Sequence, residues 1–402
     1  MPSRRRILFV DHALGPVGGA EVNLVELLSH PAARSQWDAQ VACAPAGPLA
    51  ATLARHGVIR HDYRNGESGD PEPARKGRIR SIFRLGDRRD RRAASARLRD
   101  IIAGFQPQAV VSCSSRDHVA AGTAAAESAV PSVWWMNEIL SPDFFSWPAR
   151  RSFASEALAH ATRMVPVSAY GAQALIRAGL PPQRITVVHN GIPLRDYRRS
   201  TSTLLRDQLR LSPGEPVIGL IGKVTPWKGQ QFFLELAEQW AAQRRPGRFV
   251  IAGPILPEDN VFSASLRDYV RSRRLGTRVR FLPQPATDAD LLSQLDVLLH
   301  CSIKPEPFGR ILIEGMAVGV PVIAARDGGV PEIITPGVNG GLAAPGNHDE
   351  YLSQLTALLG NPAMRNGWIT AARRTVQERF TLDRVFADFD RILGEIAPVS
   401  SP

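Results

Sequence analysis

Two carboxylates stand eight positions apart in the stretch KPEPFGRILIEGMA, residues 304–317. Glu306 lies among prolines and a glycine, whereas Glu314 lies within an apolar run that predicts a helix beginning near Phe308. The free backbone N–H groups at the start of that helix would suit a diphosphate. An ionised carboxylate in an apolar helix needs a partner, and two ribose hydroxyls would serve Glu314. Glu306 would reach past the phosphates to a sugar, so the pair predicts a nucleotide-sugar site.

Two further residues stand at the start of the same predicted helix. Gly309 would let a ligand approach the backbone closely, and Arg310 would add positive charge. Arg310 and Glu314 are also spaced i,i+4, so a plain helix ion pair is the alternative interpretation. Arginine before glutamate is the poorer order for such a pair, which slightly disfavours that alternative.

Two other predicted strand ends carry residues suited to phosphate. The stretch GKVTPWKG places Lys223 and Lys228 after an apolar strand, where a lysine can bind a phosphate as a compact cation. The stretch DHALGPVGGAE places Gly18 and Gly19 between a strand and a helix, where backbone N–H groups can approach a phosphate. The alternatives are solvated loop lysines and a plain glycine turn, since the glycine spacing fits neither the dinucleotide nor the P-loop motif.

The elements that must position these residues alternate along the chain. Continuous apolar runs such as RILFVDHA, QAVVSCSS and PVIGLIGKV predict strands buried on both faces. Amphipathic stretches such as GAEVNLVELLSH predict helices between them. This βαβ order indicates a doubly wound parallel sheet, and ligands bind at the carboxyl ends of the strands in such sheets.

The α/β pattern restarts after a polar stretch at residues 192–215. We therefore expect two Rossmann-like α/β domains, each a doubly wound parallel sheet, facing each other across a cleft. The N-terminal domain is expected over 1–192 and the C-terminal domain over 193–375. The helical C-terminus, 376–402, is expected to pack back on the N-terminal domain.

The composition is that of a globular protein with an excess of positive charge. The chain has 402 residues, of which 44% are hydrophobic, and a net charge of +11. Its three cysteines lie far apart and suggest neither disulfides nor a zinc site. Neither a signal peptide nor an apolar run of about 18 residues is found, so we expect a cytoplasmic protein.

Much of the positive charge lies in residues 75–99, which hold eleven Lys or Arg against two Asp. This run predicts contact with an anionic membrane surface or a phosphorylated acceptor, which would place the protein at the inner face of the membrane. A solvated basic face is the alternative. Phe83 is the only aromatic residue in the run, so nucleic acid is not expected as a partner. A non-enzymatic basic binder is a further hypothesis, but it rests on charge alone and leaves the paired glutamates unexplained.

The stretch EPFGRILIEGMAVGVPVIAARDGGVPEII resembles the donor-site signature of the retaining nucleotide-sugar glycosyltransferases of family 4, which have the GT-B fold. GKVTPWKG resembles that family's Gly-Arg-x-Lys-Gly segment, with Lys223 where arginine is more usual. GGAE resembles the N-terminal glycine turn of the family, and VPVS and VVHNGI resemble its interdomain segments. The likeness extends from residue 5 to about residue 390.

The resemblance implies transfer of a sugar, with retention, from a nucleoside diphosphate sugar to an acceptor hydroxyl. The acceptor would be a glycan, a glycolipid or another lipid-linked or secondary-metabolite precursor, bound by the N-terminal domain, and the donor would be bound by the C-terminal domain. Neither a cofactor nor a metal is expected, since the D-x-D segments at 288–290 and 388–390 read as parts of helices. A 2-epimerase or hydrolase acting on a nucleotide-sugar is the alternative.

The resemblance also implies roles for individual residues. Catalysis would involve Glu306, Lys228 and Asn137. Donor contacts would come from Gly18, Gly19, Lys223, Lys228, Phe308, Gly309, Arg310, Ile311 and Glu314. Contacts with the acceptor or the transferred sugar would come from Glu138, His118 and Asn190.

One departure from the family pattern concerns Asn137, which stands where a histidine is common. Asparagine can hydrogen-bond a sugar hydroxyl but cannot take a proton at neutral pH. In a same-face mechanism the leaving phosphate can take the acceptor proton, so we expect activity to survive. His12 and His118 are further candidates for contact with the substrate, although a lone histidine is more often structural.

Overall fold

In this computed structural model, the residues described are 4–13, 15, 17–65, 88–282 and 288–398. The chain divides into two compact units: unit 1 comprises Met1–Gly191 with Leu382–Pro402, and unit 2 comprises Ile192–Thr381. Each unit is built on one six-stranded parallel sheet flanked by helices. The predicted class, two doubly wound α/β units, is confirmed. The divisions at 191/192 and 381/382 lie near the expected joins at 192/193 and 375/376.

Unit 1 alternates strands with helices over its first 191 residues. Its strands are β1 (Arg5–Asp11), β2 (Trp37–Cys43), β3 (Ile59–Asp62), β4 (Ala109–Ser112), β5 (Ser132–Met136) and β6 (Arg163–Pro166). Its helices in this part are α1 (Gly19–Ser29), α2 (Pro31–Gln36), α3 (Pro48–Arg55), α4 (Arg88–Phe105), α5 (Ser115–Glu127), α6 (Trp147–His160) and α7 (Ala169–Arg177). The strand order is β3-β2-β1-β4-β5-β6.

Unit 2 repeats this arrangement. Its strands are β7 (Val217–Ile221), β8 (Arg248–Ala252), β9 (Val279–Leu282), β10 (Val297–His300), β11 (Val322–Ala325) and β12 (Gly341–Ala343). Its helices are α8 (Leu204–Leu209), α9 (Gln230–Ala242), α10 (Asn260–Ser272), α11 (Asp288–Ser293), α12 (Arg310–Val318), α13 (His348–Gly360) and α14 (Pro362–Arg379). The strand order is β12-β11-β10-β7-β8-β9.

Strand order fixes where a ligand can bind in each sheet. The order reverses between β1 and β4 in unit 1 and between β7 and β10 in unit 2. Such reversal points open a crevice at the carboxyl ends of the strands. The strands themselves are buried on both faces, as their continuous apolar runs predict: Ile7, Leu8, Phe9 and Val10 of β1 are all 0% exposed. None of the described helices is both long enough and apolar enough to cross a lipid bilayer.

The last helix, α15 (Leu382–Ile396), packs on unit 1. Phe389 is fully buried, and its ring centroid lies 4.7 Å from that of Trp135 in β5. Asp390 accepts hydrogen bonds from Arg5 Nη1 at 2.6 Å and from Trp37 Nε1 at 2.9 Å. The C-terminal helix therefore belongs to the core of the first unit, although some two hundred residues separate it from the rest of that unit.

Replacing Phe389 with alanine is expected to lower the free energy of unfolding of unit 1 by about 3–5 kcal/mol, because it leaves a cavity against Trp135. Asp388→Ala on the same helix removes only an exposed pair with Arg391, so its effect should stay within about 0.5 kcal/mol. Calorimetric unfolding of both variants measures the difference. Equal stabilities of the two variants would show that α15 is not part of the unit 1 core.

Candidate active site

Glu306 lies at the carboxyl edge of the unit 2 sheet, in the loop between β10 and α12. Its Oε2 accepts hydrogen bonds from Lys228 Nζ at 2.6 Å, His300 Nε2 at 3.1 Å and Ser302 Oγ at 3.1 Å. An ionised carboxylate only accepts, so His300 presents its Nε2–H to Glu306. No described residue donates to the other oxygen, Oε1. Two residues that the sequence singles out separately, Lys228 and Glu306, are thus in direct contact.

The charge of Glu306 depends on these partners. Burial alone would raise the pKa of Glu306, but attraction to Lys228 and hydrogen bonds from His300 and Lys228 outweigh it. The pKa of Glu306 is therefore held well below its usual range, and the side chain is ionised at neutral pH. The Lys228 and Glu306 side chains are only 20% and 10% exposed, so the pair is largely shielded from water.

Two glycines make this contact sterically feasible. Gly229, at φ +76°, follows the 3-10 turn Pro226–Lys228, and a Cβ at Gly229 would lie 1.8 Å from the carbonyl oxygen of Cys301. Gly328, at φ +62°, lies against the Glu306 backbone, where a Cβ would be 2.1 Å from the Glu306 carbonyl oxygen. Both positions need the left-handed region and close backbone approach, which glycine alone supplies without strain.

Glu314 is buried in α12 and already has protein partners. Its Oε1 accepts from Arg310 Nε at 2.6 Å and from Tyr197 Oη at 3.1 Å, and Arg310 Nη2 also donates to Tyr197 Oη at 3.1 Å. The helix ion pair that the sequence slightly disfavours is therefore formed. A third group, Tyr197, reinforces it. Because 117 positions separate Tyr197 from Glu314, no local pattern could have indicated their contact.

The start of α12 differs from the sequence-based expectation in the residue at which the helix begins and in the burial of Phe308. The helix begins at Arg310, with Gly309 as its N-cap at φ +99°. Phe308 is 1% exposed and packs edge-on against Phe380 at 5.6 Å, so its side chain is part of the core and only its backbone could meet a donor. Ile311 is half-buried, and Lys223 on the β7 side is exposed.

In the glycine turn of unit 1, the Gly18 N–H group is already hydrogen-bonded within the protein. The backbone N–H of Gly18 donates to Oε2 of Glu21 at 2.7 Å, so the helix supplies its own anion at this position. The expectation that Gly18 offers this group to a donor phosphate is therefore not supported. Gly19, the first residue of α1, is exposed. The signal for this cap was present in the sequence as a glutamate three positions after Gly18.

His118 is a core residue. It is 0% exposed, its ring stacks on Trp134 at 5.1 Å, and its Nδ1 lies 2.6 Å from Ser112 Oγ. Burial lowers the pKa of His118 to about 3, so it is neutral. The expected contact between His118 and a sugar or acceptor is therefore not supported, because the ring is sealed among aromatic side chains.

The other residues expected on the acceptor side lie at strand ends or in the following loops of unit 1. Asn137 is half-buried, and its Nδ2 donates to the Cys113 carbonyl at 3.2 Å. Glu138 accepts from Ser115 Oγ at 3.0 Å, and burial raises the pKa of Glu138 to about 7. Asn190 is 7% exposed, and its buried Oδ1 forms no hydrogen bond with any residue that the structure describes.

Within the described ranges, no group of three or more His, Cys, Asp or Glu side chains is arranged to hold a metal ion. The D-x-D segment at 388–390 lies within α15, where Asp390 binds Arg5 and Trp37. The segment at 288–290 begins α11.

Comparison with known proteins matches two family models to the chain. The model described as "Glycosyltransferase Family 4" matches residues 17–196, and that described as "Glycosyl transferases group 1" matches residues 202–375. Among curated relatives, the D-inositol 3-phosphate glycosyltransferase of Mycobacterium tuberculosis is 30% identical over 224 residues, which are 54% of this chain and 46% of the relative. The match therefore spans about half the length of that relative.

Solved structures show the same architecture over nearly the whole chain. The HepE protein of Anabaena, in complex with UDP-glucose, is 25% identical with a TM-score of 0.83, covering 97% of this chain and 99% of HepE. A sucrose-phosphate synthase from Thermosynechococcus elongatus has a TM-score of 0.78 at 19% identity, covering 98% of this chain and 99% of that chain. These likenesses confirm the predicted GT-B fold.

The Lys228–Glu306 pair predicts a pH-dependent stability of unit 2. Replacing Lys228 with methionine leaves a buried carboxylate without its cation and should lower the free energy of unfolding at pH 7 by about 3–5 kcal/mol. Because the folded pKa of Glu306 lies below its unfolded value of 4.5, the contribution of the pair is present above that pH. It is lost as the pH falls toward the folded pKa, so the gap between wild type and variant should narrow in acid.

Thermal unfolding between pH 3.5 and 7 measures this gap, with the exposed Lys223→Met as the matched control. A gap that stays constant across this range would show that Glu306 does not depend on Lys228 for its charge.

Proposed function

We propose that this chain, which belongs to the family 4 type of glycosyltransferases with the GT-B fold, transfers a sugar with retention from a nucleoside diphosphate sugar to an acceptor hydroxyl. The observation that carries the proposal is the shielded Lys228–Glu306 pair at the carboxyl edge of the unit 2 sheet. The family matches support glycosyl transfer, and the UDP-glucose complex of the similar Anabaena protein supports a UDP-sugar as the first donor to test.

The proposed donor site combines a cation, a helix start and two carboxylates. Lys228 has three N–H donors and uses one on Glu306, so others can meet the diphosphate. The first backbone N–H groups of α12, beginning at Arg310, add the partial positive charge of a helix N-terminus. Oε1 of Glu306 accepts from a hydroxyl of the transferred sugar. Glu314, whose two hydrogen bonds from Arg310 and Tyr197 fall on Oε1, keeps Oε2 for the ribose.

The proposed reaction is electrostatic catalysis at the departing diphosphate. The bond from the anomeric carbon to the phosphate oxygen breaks with its electron pair on that oxygen. Lys228 and the start of α12 stabilise the charge that develops there, and no metal or cofactor is required for this step. The acceptor hydroxyl attacks from the same face and passes its proton to the leaving phosphate. Asn137 therefore need not act as a base.

The acceptor is proposed to be a glycan or lipid-linked molecule that a cytoplasmic, peripherally bound enzyme meets at the inner face of the membrane. Of the basic run at 75–99, residues 75–87 lie outside the described residues. The remainder forms the first part of α4, which buries Ala94 and Leu98 and exposes Arg92 and Arg97. Exposed arginines such as these are attracted to acidic lipid.

Glu306→Ala and Lys228→Ala are each expected to slow the release of UDP from UDP-glucose by roughly 10²–10³-fold, because each removes charge stabilisation or sugar positioning at the reacting centre. Methyl glycosides serve as acceptors, and the exposed Glu258→Ala is the matched control. Full activity of both variants would defeat the site assignment.

NMR of the product should show the anomeric configuration of the donor, and an inverted product would contradict retention. An isomerised donor formed without acceptor would favour the epimerase alternative.

Sedimentation with liposomes tests the membrane contact. Vesicles containing phosphatidylglycerol should pull down more protein than pure phosphatidylcholine vesicles, and the difference should shrink with added salt. Replacing Arg92 and Arg97 together with glutamine should reduce the binding, whereas Arg271→Gln, on the exposed face of α10, should not. Equal binding to both kinds of vesicle would contradict the contact.

A further inference from the structure

A histidine–aspartate pair joins two neighbouring strand ends of unit 1. His12 follows β1, and Asp117 lies in the first turn of α5, directly after β4. Nδ1 of His12 lies 2.8 Å from Oδ2 of Asp117, and the backbone N–H of His12 donates to the same oxygen at 3.0 Å. The strand order reverses between β1 and β4, so the pair stands at the crevice where sheets of this kind bind ligands.

Asp117 is held rigidly in this position. It is 0% exposed and also accepts from Ser114 Oγ at 2.8 Å, Tyr63 Oη at 3.1 Å and Asn65 Nδ2 at 3.3 Å. Burial would raise the pKa of Asp117, but attraction to His12 and the hydrogen bonds from His12 and Ser114 hold it well below its usual range. The ionised carboxylate therefore fixes the His12 ring with Nδ1–H toward Asp117.

This orientation leaves Nε2 of His12 for a ligand. No described residue forms a hydrogen bond with that nitrogen. At the end of the next strand but one, β5, Asn137 uses its Nδ2 on the Cys113 carbonyl, so Oδ1 is the atom it can offer. Neutral imidazole Nε2 and amide Oδ1 are both hydrogen-bond acceptors. A ligand that satisfies both must bring donors, and hydroxyl groups are the donors of a sugar.

The surrounding charge disfavours an anionic ligand. Asp11 at the end of β1 is 0% exposed, and none of the described residues forms a hydrogen bond with its Oδ2 or with Oε2 of Glu138. Burial, together with repulsion from Glu21 and Asp117, raises the pKa of Asp11 well above its usual value. The same desolvation and repulsion that favour the neutral form of Asp11 would disfavour a phosphate brought to this edge.

We propose that His12, oriented by Asp117, and Asn137 bind hydroxyl groups of an uncharged, polyhydroxylated acceptor at the carboxyl edge of the unit 1 sheet. The inference rests on the proposed glycosyl transfer and adds to it the class of acceptor. It also assigns to His12 a contact with the acceptor at a site where Asn137 replaces the histidine that the family commonly has. It replaces, for this edge, the expectation of a phosphorylated acceptor.

The contact is pH-dependent because only neutral His12 accepts a hydrogen bond at Nε2. Burial lowers the pKa of His12, but attraction to Asp117 and their hydrogen bond outweigh it and raise that pKa above 6.5. Acceptor binding should therefore strengthen as the pH rises through the raised pKa. The titratable and charged groups around His12 and the adjacent Asp11 are Asp117 and Arg116 of α5, Glu21 of α1, Tyr63 after β3 and Glu138 after β5.

Nuclear magnetic resonance of protein labelled with ¹⁵N-histidine tests the site directly. The neutral probes are methyl α-D-glucopyranoside, methyl α-D-mannopyranoside and myo-inositol, and glucose 6-phosphate is the anionic probe. At pH 8 the Nε2 resonance of His12 should move with at least one neutral probe and not with glucose 6-phosphate. His12→Gln should weaken binding of that probe about tenfold. His56→Gln, at an exposed turn of the same unit, is the matched control and should not.

Asp117→Asn tests orientation rather than contact. It should lower the pKa of His12 and move the acid limit of probe binding to lower pH, a change that a purely structural role of Asp117 would not produce. If Asp117→Asn does not fold, the loss of probe binding in His12→Gln remains the test of the inference. The inference is overturned if the His12 Nε2 resonance does not shift with any of the three neutral probes, or if it shifts equally with glucose 6-phosphate.

Calorimetry with UDP on the same samples separates this inference from the proposed function. If UDP binds but the His12 Nε2 resonance does not respond to any neutral probe, the proposed acceptor site is contradicted and the proposed donor site is not. If wild type binds neither UDP nor UDP-glucose, the proposed function itself is contradicted.

Discussion

A carboxylate buried at a sheet edge must be neutralised, and unit 2 is organised around that constraint. Lys228, His300 and Ser302 converge on one oxygen of Glu306, so the charge is compensated and the second oxygen is left for a ligand. The arrangement requires the turn at Gly229 to press against the end of β10. The loop around Glu306 is therefore fixed in place before any donor arrives, which is the preorganisation that electrostatic catalysis needs.

Unit 1 also buries a carboxylate at the edge of its sheet, that of Asp117. Asp117 accepts hydrogen bonds from the ring and the backbone of His12, and this pair again lies where the strand order reverses. Burial raises the pKa of the neighbouring carboxyl groups of Asp11 and Glu138. The two sheets thus differ at their edges: unit 2 presents a cation and a helix start, whereas unit 1 presents buried carboxyl groups whose neutral form is favoured. The proposed donor, which carries a diphosphate, and the proposed acceptor, which carries only hydroxyls, fit these two edges respectively.

The sequence was sufficient for the fold and for singling out Lys228 and Glu306, which the structure brings into contact. Continuous apolar runs specify strands buried on both faces, and Glu306 and Lys228 stand out because charged groups rarely follow such runs without a partner. Contacts between distant positions could not be foreseen. His300 and Ser302 looked like the end of an apolar strand. The enclosure of His118 by Trp134 depends on packing that propensity does not reveal, whereas Glu21, three positions after Gly18, is a capping signal that the sequence does carry.

A thermal-shift series with nucleoside diphosphate sugars measures donor binding at the unit 2 edge, because a ligand that binds only the folded state stabilises it by mass action. We expect one donor to raise the melting temperature of wild type at saturating concentration. In Lys228→Ala the shift should disappear, measured against the variant's own unliganded baseline. A shift of equal size in Lys228→Ala, or none with any donor in wild type, would contradict the assignment of the unit 2 edge as the donor site.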